Sequence, residues 1–367
     1  MKVVTPTFAK KFACAAGSCP DTCCQGWQII IDSDTLARYQ KIEGELGKAV
    51  RAAIVPESEP YFRFAENGKC ALFDENGLCK LQKEIGEDAQ CRVCRVYPRF
   101  VRQYGSLREE GVSLSCPEAL RMLLEEPLPL SFEAKEKDIP VEPNDIDADV
   151  YFALQKSRTL AFSMVQDERY SFEDRLFLLI SFAEYVQYCL SCEAYSSIDR
   201  VCKRYASPVG RSAVLRRKKA LRYGSAGKWY DLSEWAVFFS GLEILSPQWK
   251  DLLSQLAAYC RQDTHRQVSI SAERGKEYAA ILTATLFKYW LEAADDGILL
   301  PKVQQAVVCI LLLRELQQMK PDFDTVEVYH RIARELEHNE ENLDAMRRAF
   351  LTAPCFSPKA IKRIVCA

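Results

Sequence analysis

The sequence predicts a mostly α protein, in which an irregular, cysteine-rich metal-binding domain with a few short strands precedes a helical domain. Three observations carry that expectation. Nine of the sixteen cysteines fall between residues 14 and 116. The downstream half repeats apolar residues at three- and four-residue steps, the period of a helix face. Between them Pro127 to Ala148 holds four prolines among scattered charges, which marks a linker. The expected division is 1–126, 127–148 and 149–367, in line with a length of 367 residues and about 150 residues per domain.

Taken in order, FACAAGSCPDTCCQGW at 12–27 packs Cys14, Cys19, Cys23 and Cys24 into one loop. Trp27 to Asp32 is β-branched and predicts a short strand. Asp32 or Ser33 caps a helix expected to run from Asp34 to about Val55, ahead of Pro56. Tyr61 to Phe64 predicts a second strand. Asn76-Gly77 supplies the positive φ of a tight turn, which brings Cys70 and Cys79 together. Leu81 to Gly86 is a short helix, and Pro117 suits the first position of another. Beyond the linker, helices are expected over 149–166, 171–206, 231–262, 272–295, 298–319 and 323–352. Arg216 to Lys219, flanked by Arg211 and Arg222 and followed by Gly224-Ser225-Ala226-Gly227, predicts a solvated helix face or loop.

Clustered thiolates suit zinc or an iron–sulfur cluster, while disulfides and inert buried cysteines are the bland alternatives. The start has no uninterrupted apolar region of the secretory kind, and no run of about 18 apolar residues occurs. A cytoplasmic location follows as the expectation, and with it reduced thiols and a metal reading. A formal net charge of −2 gives no global pull toward nucleic acid or an acidic membrane. The spacing excludes C-x3-C-x2-C, because the third position after Cys23 is Gly26. Only Cys91-x2-Cys94 has the knuckle form of a zinc finger. His265, His330 and His338 lie far downstream, so an all-thiolate site is expected, with one cluster or two metal sites both open. Arg92, Arg95 and Arg99 offer positive charge beside it, and Trp27 offers shielding. Dinucleotide, Walker, nucleophile-elbow and H-E-x-x-H patterns are absent from the sequence.

Read together, F-x-C-x4-C-P-D-T-C-C-x2-W at 12–27, Asp32, Tyr39, C-A-L-F-x3-G-L-C at 70–79, C-x2-C-R-x-Y-P-R at 91–99 and S-C-P-E-A at 115–119 resemble the flagellin lysine N-methylase family. EYAAILTATLFKYWL at 277–291 and RIARELEHNEENLD at 331–344 are similar to its helical region. The resemblance implies methyl transfer from S-adenosylmethionine to lysine ε-amines on flagellin by an enzyme with a 4Fe-4S cluster, zinc being the alternative. It makes Cys19, Cys23, Cys24, Cys70, Cys79, Cys94 and Cys116 ligand candidates, with Cys14 and Cys91 behind them. A lysine must lose its proton before attack, since its free pKa is about 10.4, and a cationic sulfonium favours acidic or aromatic neighbours. Asp32, Tyr97 and Glu118 lie in the matched blocks and are the candidate catalytic residues. A nonenzymatic iron- or zinc-binding module that supports a helical interaction domain is the competing expectation.

Overall fold

The structure, a computed structural model, describes residues 1–66, 68–141, 145–222, 228–262 and 270–366, without the side chains of residues 219, 220, 222, 228 and 229. Strand β1 (Lys2–Pro6) and helix α1 (Thr7–Lys10) lead into the cysteine loop. Helices α2 (Ser33–Tyr39) and α3 (Gly44–Ala53) follow, then β2 (Ile54–Val55), β3 (Tyr61–Phe62), α4 (Lys80–Ile85) and α5 (Arg92–Val96). The chain continues through β4 (Arg99–Tyr104), β5 (Leu107–Val112), α6 (Pro117–Glu125) and β6 (Phe132–Glu136).

The four-stranded sheet has the order β4-β5-β1-β6. β1 runs parallel to β5 and antiparallel to β6, so Val3 stands opposite Arg108 on one side and Lys135 on the other. Residues 132–136, within the expected linker, are thereby a sheet strand. The expected strand at Trp27 to Asp32 reduces to one bridge, Ile30 to Tyr61, because Gly26 at φ +82° turns the chain just before it. The single helix expected from Asp34 to Val55 is two helices, interrupted at residues 40–43 with Gly44 at φ +72° opening the second, and Ile54–Val55 pair with β3 instead. Asp32 does cap α2, its carboxylate accepting from Thr35 N at 3.0 Å.

The rest is helical: α7 (Ala148–Val165), α8 (Phe172–Ser191), α9 (Tyr195–Ala206), α10 (Pro208–Arg222), α11 (Lys228–Ser240) and α12 (Pro247–Cys260). Then come α13 (Ala272–Tyr289), α14 (Ala293–Asp296), α15 (Leu300–Met319), α16 (Thr325–Glu337), α17 (Glu340–Thr352) and α18 (Pro358–Cys366). Each long helix expected over 171–206, 231–262 and 323–352 is a pair, broken at Glu193 with φ 53°, ahead of Pro247, and at Asn339, which caps α17. The basic run lies on α10: Arg217 meets the Tyr185 hydroxyl at 3.4 Å, and Lys218 pairs with Asp174 at 2.7 Å. Lys219, Arg222 and His265 carry expectations whose side chains fall outside the description, as do residues 224–227. Among the described residues no helix is long and apolar enough to cross a membrane.

Helix α15 is buried almost all round, with Val303, Val307, Ile310, Leu311 and Leu313 each at most 1% exposed. It is the axis of a large core that also takes in Phe8, Leu107, Val112, Leu120 and Leu130. The sheet is bolted to this body by a buried ion pair, Arg158 of α7 to Glu109 of β5 at 2.8 Å, and Arg158 also donates to the Phe287 carbonyl at 3.2 Å. A second, smaller core gathers Ile29, Ile31, Tyr39, Val50, Phe62, Leu72 and Leu81 with Cys70 and Cys91.

Candidate functional site

Between the two cores lies a cavity of about 450 Å³, and all nine early cysteines line it: Cys14, Cys19, Cys23, Cys24, Cys70, Cys79, Cys91, Cys94 and Cys116. Local backbone geometry explains the convergence. The turn at Gly77, with φ +77°, folds 70–79 back so that Phe73 pairs with Cys79. Cys70 N donates to the Cys24 carbonyl at 2.7 Å, which fixes that strand against the cysteine loop. Cys91 caps α5 and places Cys94 one turn on, Sγ to Sγ 3.6 Å apart. Cys116 caps α6, with Pro117 at its first position.

None of the sixteen cysteines is in a disulfide. Among the described residues no three His, Cys, Asp or Glu side chains already stand as one ion's ligand group. The donor set nevertheless fits a thiophilic centre in kind, because nine thiols face one space. Tyr39, on the cavity wall and 1% exposed, has a hydroxyl without a hydrogen-bond partner, a buried donor suited to an anionic sulfur centre. Contact between adjacent thiols splits their acidities: Cys24, hydrogen-bonded by Cys23, and Cys91, hydrogen-bonded by Cys94, fall to about 7, while Cys23 and Cys94 rise. Burial pushes Cys70 up to about 12 and Cys116 up to about 11.

Helix α16 closes one side. Arg334, itself on the cavity wall, donates to Asp21 of the cysteine loop at 3.0 Å. Gly26 sits so close to Leu245 that an added Cβ would stand 3.3 Å from the Leu245 Cβ. His330 Nε2 is 3.7 Å from Asp21, and the His338 ring lies 4.7 Å from Trp27 and edge-on to Tyr97 at 5.3 Å. Burial pushes both histidines down to about 4, and the Nδ1 atom of each is buried without a hydrogen-bond partner. Distance in sequence hides these histidines, yet His330, Arg334 and His338 recur every four residues, a stripe along α16 that ends on its C-cap.

From the cavity a hydrogen-bonded chain runs into the body. Tyr97 OH meets Ser115 Oγ at 3.2 Å, and Ser115 Oγ meets both His338 Nε2 at 3.0 Å and Ser113 Oγ at 2.9 Å. Ser113 donates to Glu337, which also accepts from Lys288 at 2.8 Å and from Tyr289 OH at 2.7 Å. Although burial raises the Glu337 carboxyl, Lys288 and these donors hold it below its ordinary value.

Of the three candidate catalytic residues, Tyr97 and Glu118 line the cavity and Asp32 is not among its lining residues. Both Asp32 oxygens are engaged, by Thr35 N and by Arg92 N at 2.9 Å, in holding α2 and α5 together. Glu118 is ion-paired with Arg121 at 2.6 Å. Arg99 reaches the cavity with its guanidinium over Phe12, and Trp27 lines it while donating to the Cys23 carbonyl at 2.7 Å.

Residues 158–362 match the family profile of the FliB lysine N-methylase C-terminal domain. The chain is 28% identical over 193 residues to a lysine-N-methylase of Salmonella typhimurium, which covers 50% of this chain and 47% of that protein. It is equally similar to its counterpart in Salmonella choleraesuis, and 29% identical over 132 residues to the flagellar biosynthetic protein FliU of Salmonella muenchen, 34% of this chain and 78% of FliU. The match thus spans about half the length of the two curated lysine-N-methylases. No solved structure matches.

Proposed function

Since the chain belongs to the FliB lysine N-methylase family, we propose that it is a protein-lysine N-methyltransferase that moves a methyl group from S-adenosylmethionine to surface lysines of flagellin. The observation that carries this reading is the seam between α16 and the cysteine loop. Arg334 lies inside the family-matched residues and also walls the nine-cysteine cavity, so the helical body and the cysteine unit build one site.

In this reading the cavity thiolates hold a 4Fe-4S cluster, which supplies a cross-link between loops and a redox-capable centre. The remaining chemistry belongs to the chain. A substrate lysine arriving protonated has to release its proton before attack, and the Tyr97 hydroxyl, fixed by Ser115 and through it by His338, gives the amine a hydrogen-bond partner that orients it. His338 is neutral at neutral pH because burial lowers its affinity for a proton, so it is able to accept hydrogen bonds. Trp27, Tyr97 and Glu118 give the cavity aromatic faces and a carboxylate suited to a sulfonium. The thiols stay reduced in the cytoplasm, where we place the reaction.

One observation favours zinc instead. Two thiolates on one zinc ion, with bonds of about 2.3 Å, stand less than about 4.6 Å apart, and Cys91 and Cys94 meet that limit at 3.6 Å. Such a site would suit the nonenzymatic module. The test is to incubate anaerobically purified protein with flagellin and isotopically labelled S-adenosylmethionine, then map labelled lysines by mass spectrometry. Label on flagellin lysines is expected. Metal-loaded, folded protein that neither transfers label nor gains thermal stability from S-adenosylmethionine overturns the methyltransferase reading.

A further inference from the structure

The nine cysteines divide by the wall they stand on. Cys70 and Cys91 are members of the small core, and Cys24, Cys79 and Cys94 pack against it. Cys116 belongs to the large core with Phe12, two residues before Cys14. Cys14, Cys19 and Cys23 are in neither core and lie on the loop that crosses between them. We infer that the cavity houses two thiolate-held metal centres, one on four of Cys24, Cys70, Cys79, Cys91 and Cys94, the other on Cys14, Cys19, Cys23 and Cys116. The inference rests on the metal reading above and concerns how its ligands are shared.

Cys23 and Cys24, adjacent in the chain, are where the two sets touch. A tetrahedral zinc ion or a 4Fe-4S cluster takes about four thiolates, so a single centre would leave about five thiols unused around the same cavity.

Each set has its own supports. On the small-core side, Cys91 and Cys94 are already 3.6 Å apart, and the unpartnered Tyr39 hydroxyl feels Cys91, Cys94 and Cys79. On the other side, Cys116 stands at the N-terminus of nine-residue α6, where the helix dipole favours a thiolate. Cys14 Sγ accepts from Ala16 N at 3.4 Å, and Cys19 Sγ donates to the Asp21 carbonyl at 3.1 Å, which places both on the arc held by Arg334.

The deciding measurement is the iron, zinc and acid-labile sulfide content of the full chain, purified anaerobically from iron-replete cells. Two centres predict about eight irons and eight sulfides, about two zinc ions, or about one of each kind of centre per chain. The double variants Cys14→Ser/Cys116→Ser and Cys70→Ser/Cys79→Ser should each keep one centre and lose the other, with complementary residual spectra. One centre's worth of metal in the wild type, or total loss in one double variant beside full retention in the other, overturns the division and leaves the methyltransferase reading standing. A wild type without metal overturns the division and the metal reading it rests on. If a double variant does not fold, as judged by circular dichroism, the wild-type stoichiometry decides alone.

Discussion

The two cores of this protein are held by different means. The large one closes over α15 with side chains such as Leu311, Leu313, Trp290 and Phe182, all fully buried, with buried ion pairs such as Arg158–Glu109 set into apolar packing. The small one has few buried aliphatic residues, and cysteines form part of it and much of its edge. Burial alone stabilises so small a core only marginally, and natural scaffolds of that kind add metals or disulfides. The contrast teaches that cysteine usage here substitutes for missing hydrophobic volume on one side of a seam, whatever else it does.

The sharpest way to break that comparison is a chelator, under the metal reading proposed above. Anaerobic chelation of a structural site removes binding energy on the order of 10 kcal/mol, so on that reading limited proteolysis should cut within residues 14–97 first while a helical fragment from about 148 onward survives. Equal susceptibility of both regions would abolish the distinction. Next in size, Trp290→Ala in the large core should cost about 3–5 kcal/mol in chemical denaturation and leave metal content per folded chain unchanged.

The third test uses pH at the seam. His330 and His338 have folded-state values near 4, below the ordinary 6.5, so their stability contribution is full above about pH 6.5 and is lost as pH falls toward 4. A loss of about 3 kcal/mol per histidine is expected over that window, at about 1.36 kcal/mol for each pKa unit, and His338→Asn should flatten the profile. An unchanged slope in that variant would remove His338 from the account. Smallest, Arg334→Met breaks the bond to Asp21 at a cost of about 1.5–3 kcal/mol, read as faster metal release from the cysteine loop with little change in helical content.

Much of this was legible in the chain. The nine converging cysteines, the Asp32 cap, the Gly77 turn and the helices at 148–165 and 300–319 follow from spacing and periodicity. The four-stranded sheet was not, for a physical reason. β5 reads LREEGV, and its inward position 109 is a glutamate neutralised by Arg158, so the apolar alternation that announces a strand is interrupted where it is most buried. β6, FEAKE, is an exposed edge with little apolar signal. The seam histidines were invisible because α16 joins residues some three hundred positions apart, a contact that no local pattern encodes.

The pairing of β1 with β5 has one more consequence. Residues 7–98, which carry eight of the nine cavity cysteines, leave the sheet at β1 and re-enter it at β4, so the unit is a closed loop with both ends stapled to the body. A segment pinned in this way does not drift off when it melts. The cost of closing a loop grows only by about 0.6 kcal/mol per doubling of its length, and the folded sheet already bears it. Thiols scattered along some ninety residues therefore remain at high effective concentration for one another even when the loop between them melts.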